Sequence, residues 1–153
     1  MEMKIRRSAL LLGLAVVATP LLAAPADPVS TRVAGYRALG AAYKSVNDQL
    51  RSGSPQMPVI KAAAAKIQAA SKAQYGWFPQ GSGPAPGVKT AAKPEIWSQG
   101  AQFKAAQDKF AAEAAAFSKV AAGGNAAAIT AQAKQLGATC SACHRVYRTD
   151  ARS

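Results

Sequence analysis

Bulky apolar side chains recur every seven residues in the second half of the chain, at Ile96, Phe103, Phe110 and Phe117. Ala106 and Ala114 lie between them, three and four residues after an aromatic side chain. Seven residues make about two helical turns, so this spacing places the four side chains on one face of a long helix. The pattern predicts a helix that begins near Lys93-Pro94-Glu95, ends at Gly123-Gly124-Asn125 and packs along its length against other helices.

Helical periodicity extends over three further segments, at about residues 29–51, 58–74 and 126–148. Alanine is abundant and β-branched residues are sparse, which favours helices over strands. The apolar face of the first segment is predicted to run from Val33 to Leu50, and that of the second from Val59 to Ala70.

A long segment rich in glycine and proline, residues 75–92, separates the second and third predicted helices. It is too irregular for a strand, and its Tyr75, Trp77 and Phe78 are expected to pack at the edge of the core. The sequence therefore predicts an all-α fold. We expect an antiparallel four-helix bundle with a long Gly/Pro-rich connection between helices two and three.

The first 26 residues have the features of a secretory signal peptide. Three basic residues precede an apolar run at positions 9–22, which is short for a membrane-spanning helix. The pattern of small residues predicts cleavage after Ala26, with cleavage after Ala23 or an uncleaved anchor as alternatives. We therefore expect residues 27–153 to form one exported domain with no membrane span.

The chain is strongly basic, with 19 Lys and Arg against 7 Asp and Glu and a formal net charge of +12 at pH 7. The predicted signal peptide removes three basic residues and one acidic residue, which leaves 16 against 6 and a formal charge of +10. Export argues against nucleic acid as a partner, and no run of Lys or Arg exceeds two residues. Two interpretations of the charge stay open: a soluble cationic surface, or docking to an acidic redox partner.

The only two cysteines lie in one segment near the C-terminus, Cys140-Ser141-Ala142-Cys143-His144. The pattern CxxCH is typical of covalent attachment of one haem c. On a helix, the two thiols and the imidazole stand at i, i+3 and i+4 and project from one face. The thiols would form thioethers with the haem, and His144 would bind its iron. A redox dithiol, a zinc site and a disulfide are the alternatives, but no strand precedes the motif and zinc would need more ligands.

The other side of such an iron has few candidate ligands in this chain. His144 is the only histidine, and Met57 is the only methionine outside the predicted signal peptide. Met57 is equally explained as a core or surface residue, and no lysine stands out as a ligand. The residues therefore favour an open sixth position that accepts small gases. The lack of a second histidine for acid–base chemistry also argues against an enzyme such as a peroxidase.

Three stretches of the chain resemble class II cytochromes c, and cytochrome c prime in particular. They are residues 136–148 (LGATCSACHRVYR), 93–110 (KPEIWSQGAQFKAAQDKF) and 31–44 (TRVAGYRALGAAYK). The resemblance implies a periplasmic haem protein with high-spin, pentacoordinate iron that binds nitric oxide or carbon monoxide, transfers electrons, or does both. A low-spin, six-coordinate electron-transfer cytochrome is the alternative, with Met57 or a lysine as sixth ligand.

The resemblance also implies roles for four residues around the haem. Arg32 would meet a haem propionate, and Tyr36, four residues later, would cover the distal face, where low-spin relatives place a methionine. Arg148 would lie near the proximal imidazole, and Lys93 would take a basic position near a propionate. Three purely structural interpretations stay open: Tyr36 as a core residue, Arg32 as a surface charge and Arg148 as a helix-end cation.

Class II cytochromes c often form homodimers through their first two helices. In this chain the second predicted helix is small and rich in alanine, and its polar positions include Lys61, Lys66 and Lys72. The sequence therefore leaves both a monomer and a homodimer open.

Overall fold

The computed structural model describes residues 27–149, and the predicted signal peptide, residues 1–26, lies outside this range. The helices are α1 (Pro28–Arg51), α2 (Met57–Ala73), α3 (Glu95–Ser98), α4 (Gly100–Gly123) and α5 (Ala126–Tyr147). Within the described range, the only β-type pairing is an isolated bridge between Ala92 and Arg148. The predicted all-α class is confirmed.

Local side-chain chemistry explains where the long helices begin and end. The Asp27 carboxylate accepts a hydrogen bond from the Ser30 N–H at 2.8 Å, which caps α1 just before Pro28. Asn125 caps α5 in the same way by accepting from the Ala128 N–H at 3.0 Å. Between α4 and α5, Gly124 takes a left-handed conformation with φ of 75°, which a side chain would disfavour.

The third predicted helix is interrupted at Gln99, where φ is −117° and ψ is 44°. A continuous helix from Lys93 was therefore wrong, although hydrogen bonds still connect the two pieces: the Phe103 N–H donates to the Gln99 carbonyl at 2.9 Å. Ser98 and Gly100 flank the break, and both residue types have modest helix propensity. The break turns Ile96 toward Phe103 in a second, smaller apolar cluster, while Phe110 and Phe117 belong to the main core.

The four long helices form an antiparallel bundle, as predicted. Helix α1 packs on α2, α2 on α4 and α4 on α5, whereas α5 and α1 touch only slightly. Fully buried side chains fill the centre: Val46, Ile60, Ile67, Phe117, Ile129 and Leu136. Because contact between α1 and α5 is sparse, this side of the bundle is left open.

Two ends of the predicted apolar faces are not buried. Val33 is 37% exposed beside the gap between α1 and α5, and Val59 is 41% exposed in the first turn of α2. The next residue of α2, Ile60, belonged to the same predicted face and is buried, as are Ala63 and Ile67. Adjacent residues of a helix point about 100° apart, so the prediction for α2 was wrong at Val59 alone.

The connection between α2 and α4 begins with a short 3₁₀ turn at Gln74–Gly76 and then runs irregularly to Pro94. Trp77 is buried and Phe78 is half-buried, in agreement with the prediction. Tyr75 is instead 44% exposed, because its hydroxyl donates to Asp108 at 2.7 Å on the outside of α4. No helix among the described residues combines the length and apolar character needed to cross a membrane.

Candidate functional site

A cavity of about 530 Å³ opens between α1 and α5. Its walls are mostly apolar, and α4 and the connection close its other sides through Phe103, Phe110 and Phe78. A volume of this size is typical of sites for small molecules and cofactors. The cavity lies where the weak contact between α1 and α5 leaves the bundle unfilled.

Helix α5 forms the wall that carries the CxxCH motif. Cys140, Cys143 and His144 all line the cavity, as their spacing predicted. Leu136 and Tyr147, before and after the motif, are buried and hold this face of α5 against the bundle. The two thiols are half-buried and unpaired, so the structure contains no disulfide between them.

The electrostatics of this wall favour neutral groups. Burial raises the pKa of both the Cys140 and the Cys143 thiols. Burial and, secondarily, the positive charge of Arg148 lower the pKa of His144 below its ordinary value. A neutral imidazole is the form that binds a metal ion.

Tyr36 lies on the facing wall, on α1. Burial, followed by the nearby thiols, raises the pKa of its phenol well above the ordinary value of 10.0. The hydroxyl therefore stays protonated and can donate a hydrogen bond. No lysine or methionine is found among the described residues that line the cavity.

Met57 lies away from this cavity, at the first residue of α2 just after the turn that follows α1. Its side chain packs against the main core. The cavity is lined by the first two-thirds of α1, from Arg32 to Tyr43, rather than by the end that leads to Met57. The structure thus gives Met57 a packing role.

Arg32 is a cavity-lining cation that is only 3% exposed. It donates to the Ser82 hydroxyl at 3.1 Å, the Ser82 carbonyl at 2.7 Å and the Thr90 hydroxyl at 2.9 Å. Burial lowers its pKa, and none of the salt bridges within residues 27–149 includes it. A buried cation with only neutral partners leaves room for an anionic group beside it.

Arg148 and Lys93 lie together at the end of α5. Arg148 lines the cavity with an exposed side chain. The Lys93 N–H donates to the Tyr147 carbonyl at 3.0 Å, next to the bridge between Ala92 and Arg148. The Lys93 side chain itself does not line the cavity.

An aromatic cluster behind Tyr36 was not assigned to the site from the sequence. Tyr36 contacts Trp77 edge-on, with ring centroids 4.7 Å apart, and Phe78 at 6.1 Å. Phe78 contacts Phe103 in turn, and Phe103 contacts Tyr147 on α5. The only sequence signal for this cluster was the concentration of aromatic residues at the start of the connection.

The residues that line this cavity fit a haem c. Two thiols and an imidazole share one wall, which matches attachment at two points and one bond to iron. The apolar walls suit a flat macrocycle, and the buried guanidinium of Arg32 suits an anionic edge such as a propionate.

Sequence comparison identifies several cytochromes c' among the relatives of this chain. The profile of the family described as Cytochrome C' matches residues 27–148. A cytochrome c' of Allochromatium vinosum is 30% identical over 139 residues, which cover 90% of each chain. A cytochrome c' of Rubrivivax gelatinosus is 40% identical over 68 residues, which cover 44% of this chain and 53% of that protein. The chain thus spans about half the length of the second relative and most of the first.

Solved structures of the same family share the fold. A cytochrome c' described as having an unusual ligand-controlled dimer dissociation superposes with a TM-score of 0.77 at 28% identity, covering 83% of this chain and all of the other. A nitric oxide complex of a variant of cytochrome c prime from Alcaligenes xylosoxidans gives 0.73 at 26% identity, covering 81% and 94%. Both similarities cover more than four-fifths of this chain.

Proposed function

The chain belongs to the cytochrome c' family, and on this basis we propose that it is a periplasmic c-type haem protein that binds small gas molecules. In this proposal the iron has one strong protein ligand and is high-spin and pentacoordinate. The haem supplies the iron to which a gas molecule binds. Export follows from the predicted signal peptide at residues 1–26. The protein acts as a binder rather than as an enzyme.

The asymmetry of the cavity carries this proposal. The α5 wall presents two thiols and His144, whereas the facing α1 wall presents Tyr36. A tyrosinate can bind haem iron, but the raised pKa of Tyr36 keeps its phenol neutral and therefore a poor ligand. With methionine and lysine absent from the described lining, nothing competes strongly with a gas molecule for the sixth position.

The proposal gives tasks to six residues in or near the cavity. Cys140 and Cys143 hold the haem through thioethers, and His144 binds the iron from the α5 side. Arg32 pairs with a propionate while it keeps its bonds to the connection. Arg148 holds positive charge beside the imidazole, and Lys93 adds positive charge near a propionate.

Carbon monoxide titration of the reduced haem protein tests this function. We expect one carbon monoxide to bind per haem, and no binding would contradict the proposal. Nitric oxide serves as a second probe, since a cytochrome c prime variant from Alcaligenes xylosoxidans forms a complex with it.

A pair of variants at position 36 sharpens the test. Tyr36→Met places a thioether, a strong iron ligand, on the facing wall and is expected to weaken carbon monoxide binding. Tyr36→Leu has similar bulk without a ligand atom and is expected to keep carbon monoxide binding. Equal behaviour of the two variants would mean that position 36 does not face the iron.

Electron exchange with an acidic partner is the second function that we propose. Arg37 and Arg148 line the cavity with exposed side chains, and neither forms a salt bridge within residues 27–149. Positive charge at the opening would attract an acidic protein or an anionic reagent. Electron exchange with an anionic reagent should therefore slow as ionic strength rises, and a salt-independent rate would remove this support.

A homodimer through α1 and α2 is a further part of the proposal. Val59 on α2 is an exposed apolar side chain that such an interface would cover. Sedimentation of the haem protein with and without carbon monoxide tests it, and a single monomeric species at all concentrations would contradict it.

A further inference from the structure

The indole of Trp77 lies directly against the backbone of α1 at Gly35. A β-carbon at position 35 would overlap the indole atoms Cζ2 and Cη2 and would stand 2.7 Å from Cε2. Real β-carbons do not approach other atoms this closely. The φ angle of Gly35 is not positive, so its small size rather than its conformational freedom is what the contact requires.

The same indole fixes the ring of the next residue, Tyr36. The two ring centroids are 4.7 Å apart and the planes meet at 78°, an edge-to-face contact. Phe78 touches the tyrosine ring as well, with centroids 6.1 Å apart. Trp77 does not line the cavity, whereas Tyr36 does. Any effect of Trp77 on the cavity must therefore pass through its neighbours.

The backbone that follows Trp77 is held in place by long-range hydrogen bonds. Arg32 donates to the carbonyl and hydroxyl of Ser82, and the indole N–H of Trp97 donates to the Pro79 carbonyl at 3.1 Å. These bonds tie the irregular connection to α1 and α3. The indole is thus anchored on one side by the connection and on the other by the surface of α1.

We propose that Trp77 is a positioning residue for Tyr36. Wedged against Gly35, it holds the tyrosine ring over the haem face opposite His144 and so restricts the entry of gas molecules there. The edge-to-face contact, with centroids 4.7 Å apart, fills the space beside the tyrosine ring on the side of the connection. This inference rests on the gas-binding function proposed above.

A pair of tryptophan variants tests the inference. Trp77→Leu removes the contact with Tyr36, whereas Trp97→Leu removes an indole that contacts Phe78 but not Tyr36. We expect carbon monoxide association to accelerate roughly two- to tenfold in Trp77→Leu, the factor that corresponds to an aromatic pair. Trp97→Leu is the matched control: it removes the hydrogen bond to the Pro79 carbonyl but keeps the contact between Trp77 and Tyr36, so it should accelerate association less than Trp77→Leu does. Equal rates in the two variants would overturn the inference.

A double variant separates a positioning role from a direct one. Because Trp77 acts through the tyrosine ring, Trp77→Leu should produce no further acceleration in a Tyr36→Ala background. An acceleration of the same size with and without Tyr36 would overturn the inference.

A chemical readout is independent of gas binding. Nitration of the ferric haem protein by tetranitromethane, followed by peptide mass spectrometry, measures how readily each tyrosine phenol is reached by solvent and ionised, because the reagent attacks tyrosinate. We expect Tyr36 to react faster in Trp77→Leu than in the unmodified protein or in Trp97→Leu, while exposed Tyr75 stays unchanged. Unchanged nitration of Tyr36 would overturn the inference. If carbon monoxide does not bind at all, the proposed function fails and nitration still decides the role of Trp77.

Gly35→Ala provides a second route if Trp77→Leu does not fold. The added methyl group displaces the indole without removing it, so Tyr36 should again become more reactive toward nitration. Gly123→Ala is the control, because a β-carbon there would meet nothing within 4 Å. Unchanged nitration of Tyr36 in Gly35→Ala would contradict the positioning role of Trp77.

Discussion

Single residues of the cavity differ in how far the sequence determines them. The thiols and imidazole of the CxxCH motif lie on one face because spacing along a helix fixes their directions. The partners of Arg32 could not be derived in this way, because Ser82 and Thr90 lie 50 and 58 residues further along the chain in an irregular segment. The proposal that Tyr36 covers the distal haem face came from family resemblance rather than from periodicity. The prediction of Tyr75 at the core edge failed because a polar contact with Asp108 was not visible in the sequence.

Covalent attachment can be tested by replacing the two thiols. In the double variant Cys140→Ser, Cys143→Ser we expect all haem to be extractable under denaturing conditions, because no thioether can form. Each single variant should retain part of its haem covalently, and Ser141→Ala between the two cysteines is the matched control. Mass spectrometry of the denatured chains measures the outcome. Haem that stays on the double variant after denaturation would contradict the assignment.

Removal of the tyrosine ring tests the distal assignment. We expect Tyr36→Ala to accelerate carbon monoxide association by roughly tenfold, equivalent to about 1.4 kcal/mol of barrier, because the bulk over the iron is lost. Flash photolysis of the carbon monoxide complex gives the rate. Tyr36→Phe keeps the ring and isolates the contribution of the hydroxyl. An unchanged rate in Tyr36→Ala would place the residue elsewhere.

Helices and their ends were predictable where local chemistry dominates. The seven-residue spacing located the buried face of α4, and side-chain caps set the starts of α1 and α5. The interruption at Gln99 was missed because the seven-residue spacing of Ile96 and Phe103 is equally compatible with a continuous helix. The exposed position of Val59 was missed because the predicted stripe of α2 included two adjacent residues, Val59 and Ile60, of which only Ile60 is buried.

The cap of α5 supports the helix that carries the haem motif. Replacing Asn125 by alanine leaves the Ala128 N–H without its acceptor and should lower the free energy of unfolding by about 1 kcal/mol. Urea unfolding of the haem protein measures this loss. Asn125→Ser restores an acceptor and should recover most of the stability. Equal stability of the alanine and serine variants would show that the cap contributes nothing.

At the scale of the whole molecule, the cavity exists because one neighbouring pair of helices, α1 and α5, stays apart. Periodicity identified four apolar faces, but it could not show that α1 and α5 separate while the other neighbouring pairs pack closely. Nor could it predict that the connection returns to pair with the end of α5 at Ala92 and Arg148. Both features arise from contacts between distant parts of the chain, and together they create and close the cavity.

A substitution in the main core should lower the stability of the protein without changing gas binding in the cavity. Phe117 is fully buried in the main core and does not line the cavity. Phe117→Ala should therefore lower the free energy of unfolding by about 3–5 kcal/mol while carbon monoxide association stays the same. Urea unfolding and flash photolysis measure the two quantities, and Phe117→Leu should cost less. A large change in the carbon monoxide association rate of a Phe117→Ala protein that still folds would contradict this expectation.

The central claim is that His144 is the only strong protein ligand of the haem iron. The visible absorption spectrum of the reduced protein, recorded without added gas, tests it most directly. An iron with an open sixth position predicts a broad, unsplit visible band, followed by sharpening when carbon monoxide is added. Sharp, split α and β bands before any gas is added would show a second strong ligand and contradict the claim.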